Sequence, residues 1–319
     1  MAVYTEPDDE ALAIFVAGYD LGELVSCKGI AEGVENSNFL LRTTRGNFIL
    51  TLYEKRVAKA DLPFFIGLME HLAAQGLACP TPIRDREGHA IRELAKRPAA
   101  IVTFLDGLSP RRVQVAQCAP VGAALAQLHL AGADFPMKRR NALSVEGWRK
   151  LVADARPRAD EVRKGLADEI AREFDALAPH WPRALPAGVI HADLFPNNVF
   201  FLGERLSGMI DFYFACDDLY AYDLAVCLNA WCFEPDLSFN ATKALRLVAG
   251  YRGVRALEPG EIAALPLLAR GAAFRFLLTR LYDWLHTPAG ALVRPLDPIE
   301  YLRKLRFHRS VTSAAAYGL

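Results

Sequence analysis

The character of the sequence changes near residue 105, and this change limits the architectures open to the chain. Before it, three apolar segments rich in β-branched and aromatic residues (24–30, 39–44 and 48–53) are separated by short turns, which predicts an antiparallel meander. A further apolar strand, 99–105, then runs into an Asp-Gly pair. After this point the apolar residues recur mainly at helical spacing. The chain therefore has the pattern of an α+β protein.

Two parts are expected, because 319 residues exceed what one compact core usually holds. We place the boundary after residue 105, which gives a β-rich part, 1–105, and a mostly helical part, 106–319. A kink or break is expected near Pro266, since proline removes a helical hydrogen bond. The spacing of apolar residues predicts these helices: 8–15, 62–72, 119–130, 145–152, 158–176, 222–231, 237–250, 259–280 and 298–309.

Composition argues against several classes of partner. Lysine plus arginine and aspartate plus glutamate both number 37, so neither nucleic acid nor an anionic membrane is expected as a partner. The six cysteines form no C-x-x-C pair and are expected to be reduced thiols. The acidic N-terminus does not resemble a secretory signal, and the uncharged stretch 113–133 contains polar residues that disfavour a membrane span. These features predict a cytoplasmic protein, and the lack of a heptad seam makes a monomer the default.

A polar loop between two apolar strands is the candidate site. The segment 189–201 contains His191, Asp193 and Asn198, and Asp211 follows the next apolar run. Folding 199–202 and 206–210 as a hairpin about residues 204 and 205 places Asn198 opposite Asp211. A carboxamide and a carboxylate oxygen suit Mg²⁺, which takes few protein ligands and fills its shell with water and phosphate oxygens. Asp193 is then left to accept a proton.

This set of groups suffices for phosphoryl transfer from ATP to a hydroxyl, a reaction in which the protein mainly positions groups and neutralises charge. Any single Asp or Asn in a loop commonly caps its own turn instead. His191 is expected to brace the loop and not to act as a base. It is the joint pattern of His, Asp, Asn, strand, turn, strand and Asp that favours a catalytic site.

The same segments resemble a known family. Residues 191–198 and 210–212 look like the catalytic loop and the metal-binding segment of the aminoglycoside phosphotransferase/choline kinase superfamily, and 125–129 and 221–225 resemble two of its helices. The resemblance implies a protein-kinase-like bilobal fold, with a small antiparallel β-sheet N-lobe for the nucleotide and a larger, mostly helical C-lobe for catalysis and substrate. It also implies ATP and Mg²⁺ as cofactors.

Roles follow from the resemblance for single residues. It makes Asp193 the catalytic base and Asn198 and Asp211 the Mg²⁺ ligands, with Asp223 bracing the loop beside His191. Phosphates would approach the glycine-containing loop 33–38, and adenine the linker 101–105. The nucleotide-binding residues expected on these two segments are Asn36, Ser37, Asn38, Val102 and Phe104.

Several segments resemble the branch of the superfamily that phosphorylates homoserine. They are 33–39, 46–54, 61–65 and 276–284. The resemblance implies L-homoserine as the small-molecule substrate, on the route to threonine. Tyr213, Arg275 and Arg280 are the candidates for binding it, since an arginine offers a bidentate fork to a carboxylate.

One departure from the family keeps alternatives open. Thr51 stands where the third strand commonly carries a lysine, and Phe65 stands where a helical glutamate pairs with it. Both members of the ion pair are absent together, which avoids a lone buried charge. Lys55, Arg56 and Glu70 are the nearest charged replacements. The alternatives are a kinase for choline, an aminoglycoside or another amino alcohol, and a nucleotide-binding sensor with weak catalysis.

Overall fold

The computed structural model describes residues 4–30, 36–54, 57–288 and 294–319. Its contacts divide the chain into two compact units, the first formed by Met1–Gly107 and Ser207–Tyr213 and the second by Leu108–Leu206 and Phe214–Leu319. The boundary predicted after residue 105 placed residues 207–213 with the C-terminal part, whereas the contacts group them with the first unit. The assignment of one part to nucleotide and the other to catalysis stays a prediction.

The first unit is an antiparallel sheet with two helices. Over the residues described, six strands join in the order β1-β2-β3-β6-β4, and β5 pairs with β6. The predicted meander is its first half, because short turns connect β1, β2 and β3. The elements are α1 (Asp9–Ala17), β1 (Leu24–Gly29), β2 (Ser37–Thr43), β3 (Gly46–Leu52), α2 (Leu62–Ala74), β4 (Pro82–Ile83), β5 (Arg92–Leu94) and β6 (Arg97–Thr103).

Alternation along the strands gives this sheet one apolar face. Phe39 pairs with Leu50 across β2 and β3, and both side chains are buried in a core that includes Leu12 and Phe15 of α1. The neighbouring residue on each strand points to the opposite face of the sheet. There Asn38 pairs with Thr51, and the Thr51 hydroxyl donates to Asn38 Oδ1 at 2.8 Å.

The second unit is mostly helical. Two short strands, β7 and β10, pair antiparallel, and β8 pairs with β9, which continues into residues of the first unit. The elements are α3 (Val115–Ala131), α4 (Val145–Ala155), α5 (Ala159–Val162), α6 (Leu166–Leu177), β7 (Ala187–Ile190), β8 (Val199–Leu202), β9 (Arg205–Met209), β10 (Cys216–Leu219), α7 (Tyr220–Trp231), α8 (Ala241–Arg252), α9 (Pro259–His286) and α10 (Pro298–Ser310).

The structure differs from the predicted helices at two glycine or proline positions. The helix predicted over 158–176 is two helices, because Gly165 between them has a φ of +80°, a conformation that ends a right-handed helix. The helix does not break near Pro266, since α9 runs without interruption from Pro259 to His286; a kink there stays a prediction. Its central residues are buried against neighbouring helices, and that packing offsets the hydrogen bond that the proline removes.

The helix α9 is also long and apolar enough to cross a membrane by length and composition alone. However, 61% of its most apolar window is buried inside the structure. A core helix of a globular protein passes the same test, so this feature carries little weight for a membrane span.

Helices α3 and α8 cross at two glycines. A Cβ atom added to Gly122 would overlap the carbonyl oxygen of Leu247 and lie 2.8 Å from the backbone nitrogen of Tyr251. A Cβ atom added to Gly250 would overlap the carbonyl oxygen of Ala119. The two backbones are therefore in direct contact, and this contact brings the C-terminal end of α8 close to α3.

Two buried histidines make stability sensitive to acid. Burial lowers the pKa of His308 to about 3, and nearby Lys304 adds to the effect. Burial also lowers the pKa of His129, although Asp223 opposes it. An unfolded histidine titrates near pH 6.5, so the unfolded chain binds more protons than the folded one below that pH. The free energy of unfolding should therefore fall as the pH drops from about 6 to about 4, by about 1.4 kcal/mol per pH unit from His308, and His129 acts in the same direction.

Urea unfolding at about pH 6, 5 and 4 measures this slope. The variant His308→Gln has no group there to titrate, so its slope should be smaller by one proton than that of the native protein. Equal slopes for the two proteins would show that His308 is not held neutral.

Candidate active site

The polar loop, residues 191–198, begins where β7 ends. Ala192 has a φ of +63°, which costs a residue with a Cβ atom roughly 1–2 kcal/mol. The conformation is held by Asp223 in the first turn of α7, whose carboxylate accepts the backbone N–H of His191 at 2.7 Å and that of Ala192 at 2.8 Å. The strained turn is thus fixed by one side chain.

Asp223 is itself fully buried and accepts a third hydrogen bond, from Nε2 of His129 on α3 at 3.0 Å. Burial alone would raise the pKa of Asp223, but the bond from His129 and the nearby donors hold it below the ordinary value. The carboxylate therefore stays ionised, and a buried anion with three donors is well suited to anchor a loop.

Asp193 contacts two other predicted site residues, Arg275 and Asn198. Nη1 of Arg275 lies 3.4 Å from Asp193 Oδ1, and Nδ2 of Asn198 lies 2.8 Å from the Asp193 carbonyl oxygen and 3.4 Å from its Oδ2. Burial raises the pKa of Asp193, and the charges of Arg275 and His191 partly oppose this. The carboxylate is therefore a better proton acceptor than an exposed aspartate, while Arg275 helps to keep it ionised at neutral pH.

The amide of Asn198 is oriented by its contacts. Its nitrogen faces two acceptors on Asp193, so its Oδ1 points away from them and remains a hard oxygen ligand for a divalent cation. Asp211, in the first unit, supplies the carboxylate of the predicted pair and has a φ of +67°. These donors fit Mg²⁺ in type, since oxygen atoms are the ligands it prefers.

The hairpin of β8 and β9 differs from the predicted hairpin, which placed Asn198 opposite Asp211. Strand β8 ends at Leu202 and β9 begins at Arg205, so the turn lies at residues 203 and 204. The pairing predicted about residues 204 and 205 is therefore wrong. The proximity of Asn198 and Asp211 stays a prediction.

The other two candidates for substrate binding have partners of their own. Nη1 of Arg280 lies 2.6 Å from a carboxylate oxygen of Glu300, and its guanidinium lies 4.4 Å from the centre of the Tyr301 ring. Tyr213 belongs to the first unit, where its hydroxyl lies 3.3 Å from that of Tyr53. Among the described residues, the structure shows no bond between Arg280 and Asp193.

Tyr213 contacts both Thr51 and Phe65. Its ring meets Phe65 edge to face at a centroid distance of 5.6 Å, and its hydroxyl also bonds to Thr51. Burial raises the pKa of Tyr213 to about 12, so the group is neutral. Neutral hydroxyls and a phenyl ring thus surround Tyr213.

Side chains predicted to bind nucleotide are engaged within the first unit. Asn36 Oδ1 accepts the backbone N–H of Glu54 at 3.2 Å, and the Ser37 hydroxyl donates to the Glu54 carboxylate at 2.8 Å. Val102 is buried in β6, whereas Phe104, just beyond it, is 39% exposed. The predicted residues Gly33, Val34, Glu35, Lys55 and Arg56 lie outside the described residues.

Two further residues support the loop, and no sequence motif marks them. The indole of Trp231 donates to the carbonyl oxygen of Leu194 at 2.7 Å, and Tyr251 bonds to His129 at 2.8 Å. Neither residue belongs to a short motif. Their roles depend on contacts between helices distant in sequence, which spacing along the chain does not reveal.

The chain is similar to known proteins along its whole length. Residues 26–257 match the phosphotransferase enzyme family. The chain is 63% identical over 325 aligned residues to a homoserine kinase of Paramagnetospirillum magneticum, covering 100% of both chains. It is 66% identical over 319 residues to a homoserine kinase of Azorhizobium caulinodans, covering 100% of this chain and 99% of the relative.

Solved structures show the fold. The amicoumacin kinase hAmiN, in complex with AMP-PNP, Ca²⁺ and Ami, superposes with a TM-score of 0.70 at 14% identity, covering 95% of this chain and 92% of that one. The predicted α+β fold of the kinase-like phosphotransferases is confirmed. Because the family match spans most of the chain and the relatives match all of it, this protein belongs to the phosphotransferase enzyme family.

Proposed function

We propose that the protein transfers the γ-phosphoryl group of ATP to the hydroxyl of L-homoserine, with Mg²⁺, as a step towards threonine. The observation that carries the proposal is the identity of 63–66% with homoserine kinases along the whole chain. The loop supports it, since it supplies a base and an oxygen ligand. A cytoplasmic location is part of the proposal, and six cysteines outside any disulfide support it. A monomer is the oligomeric state that we propose.

In the proposed reaction Asp193 accepts the proton of the acceptor hydroxyl. The hydroxyl oxygen forms a bond to the γ-phosphorus as the bond from that phosphorus to the β–γ bridging oxygen breaks, and ADP leaves. Asn198 and Asp211 would hold Mg²⁺, which neutralises phosphate charge when bound. Arg275 fixes the Asp193 carboxylate through its bond at 3.4 Å, so that the base faces one direction.

Arg275 also suits the carboxylate of an amino-acid acceptor. Its bonds to the Ala192 carbonyl and to Asp193 both use Nη1. Among the residues that the structure describes, Nη2 has no hydrogen-bond partner. A guanidinium edge beside the base matches a small acceptor whose carboxylate lies a few bonds from its hydroxyl. Choline and ethanolamine have no carboxylate to fill this position.

An assay of ADP release with a panel of acceptors tests the proposal. Homoserine should give a kcat/KM about 10²-fold or more above choline, ethanolamine or kanamycin, since a site that pairs polar groups rejects analogues without them. Activity on another acceptor and not on homoserine would refute the proposed substrate. Binding of ATP with turnover of none of them would favour a nucleotide sensor.

A further inference from the structure

A chain of buried hydrogen bonds continues beyond Asp223. His129 Nδ1 lies 2.8 Å from the hydroxyl of Tyr251, at the end of α8. The same hydroxyl lies 3.1 Å from Nη1 of Arg255. Two nitrogens of Arg255 bond to the two carboxylate oxygens of Glu261 at 3.0 and 3.2 Å. His129, Tyr251 and Glu261 have no exposed surface, so water does not compete for these bonds.

Chemistry fixes the direction of each bond in the chain. The Asp223 carboxylate is an acceptor, so His129 donates from Nε2. His129 is neutral, because burial lowers its pKa, and its Nδ1 is therefore an acceptor. Tyr251 must then donate to Nδ1 and accept from Arg255, whose guanidinium has only donors. Each group has one consistent role, from Glu261 to the backbone amides of the loop.

The chain of buried hydrogen bonds starts at Glu261 on α9, and α9 also contacts Asp193 directly. Glu261 lies in the first turn of α9, where it accepts the backbone N–H of Glu258 at 2.9 Å. Arg275, about four turns further along α9, bonds to Asp193. The loop is thus bonded to α9 both through Arg275 and through the chain of buried hydrogen bonds.

We propose that Tyr251 is a positioning residue for phosphoryl transfer, which holds His129 as the Nε2–H tautomer and through it holds Asp223 and the loop. Arg255 and Glu261 orient the Tyr251 hydroxyl. The proposal rests on the proposed role of Asp193 as the base. Its physical basis is the strained Ala192: the loop keeps a φ of +63° only while Asp223 accepts both amides, and a mobile Asp223 would let Asp193 move. Misplacement of a catalytic group by about 1 Å costs up to about 10²-fold in rate.

A second tyrosine–histidine pair provides the matched control. The Tyr317 hydroxyl lies 2.8 Å from His308 Nδ1, and both residues are buried. Nε2 of His308 bonds to Asn229 at 3.2 Å, and so this pair does not lead to the loop. The variants Tyr251→Phe and Tyr317→Phe each remove a tyrosine hydroxyl that bonds to a buried histidine.

We expect Tyr251→Phe to lower kcat about tenfold, with KM for ATP and for homoserine within about twofold of native. Tyr317→Phe should keep kcat within about twofold despite a comparable loss of thermal stability. A native kcat in Tyr251→Phe, or an equal loss of kcat in both variants, would overturn the proposal.

Nitrogen-15 NMR of the histidine rings tests the tautomer without turnover. In the native protein His129 should carry its proton on Nε2, and a proton on Nδ1 would contradict the proposal. This measurement also separates two kinds of failure. If the native protein does not phosphorylate homoserine, the proposed function fails, while the tautomer still reports on the buried chain.

Discussion

Replacing Asp193 with asparagine is expected to lower kcat by about 10²–10⁴-fold while leaving ATP binding close to native. Asparagine has nearly the same shape but cannot take up the proton of the acceptor hydroxyl. It can still bond to Asn198, so the loop should keep its conformation. The charge beside Arg275 is lost, and this removes the ion pair at 3.4 Å without opening a cavity. Steady-state kinetics and ATP titration by calorimetry measure the two quantities separately.

Asp217→Asn is the matched control for this change. Asp217 lies on β10, outside the loop, where its carboxylate pairs with Lys138 at 2.9 Å near the surface. The same substitution there should leave kcat within about twofold of native. If Asp193→Asn kept more than about a tenth of the native kcat, Asp193 would not be the base, since general bases contribute at least about 10²-fold.

Replacing Gly122 with alanine is expected to cost about 3 kcal/mol of unfolding free energy or more. The added methyl group would overlap the carbonyl oxygen of Leu247 on α8. A side chain in its way could rotate, but a helix backbone can only move as a whole. The helices would have to separate, and the bond from His129 on α3 to Tyr251 on α8 would lengthen. Urea unfolding measures the loss.

Gly253→Ala is the control for the glycine change. Gly253 ends α8 with a φ of −64°, and an added Cβ atom would lie 3.4 Å from its nearest neighbours, an ordinary contact. Alanine there should leave stability unchanged or raise it by up to about 1 kcal/mol. Equal stabilities of Gly122→Ala and native protein would show that α3 and α8 are not held at backbone contact.

Much of the fold was predictable because its signals are local. The meander follows from three apolar segments separated by turns, and it appears as β1, β2 and β3. The kinase-like fold was predicted from the loop motif, whose residues lie within a few positions of one another. Asp193 and Asn198 are indeed in contact. Their catalytic roles stay predictions.

The remainder depends on contacts or backbone angles that the sequence pattern does not encode. The helix breaks at Gly165 because this residue adopts a positive φ, which glycine permits but does not require. The shorter turn of the β8–β9 hairpin changed the pairing inferred for Asn198. Tyr251 lies near the end of α8 and Arg255 follows that helix, and neither belongs to a sequence motif. They become functional candidates only once α8 crosses α3, which places Tyr251 beside His129 and Arg255 beside Tyr251.

The bond from Trp231 to Leu194 has an optical consequence. The indole is fully buried, and its N–H is held by a carbonyl of the polar loop. Indole fluorescence shifts in wavelength and intensity when its hydrogen bonding or its contact with water changes. Movement of the loop would therefore alter the emission of a chromophore that the protein already carries. Rapid-mixing fluorescence can thus time the loop during turnover without any attached dye.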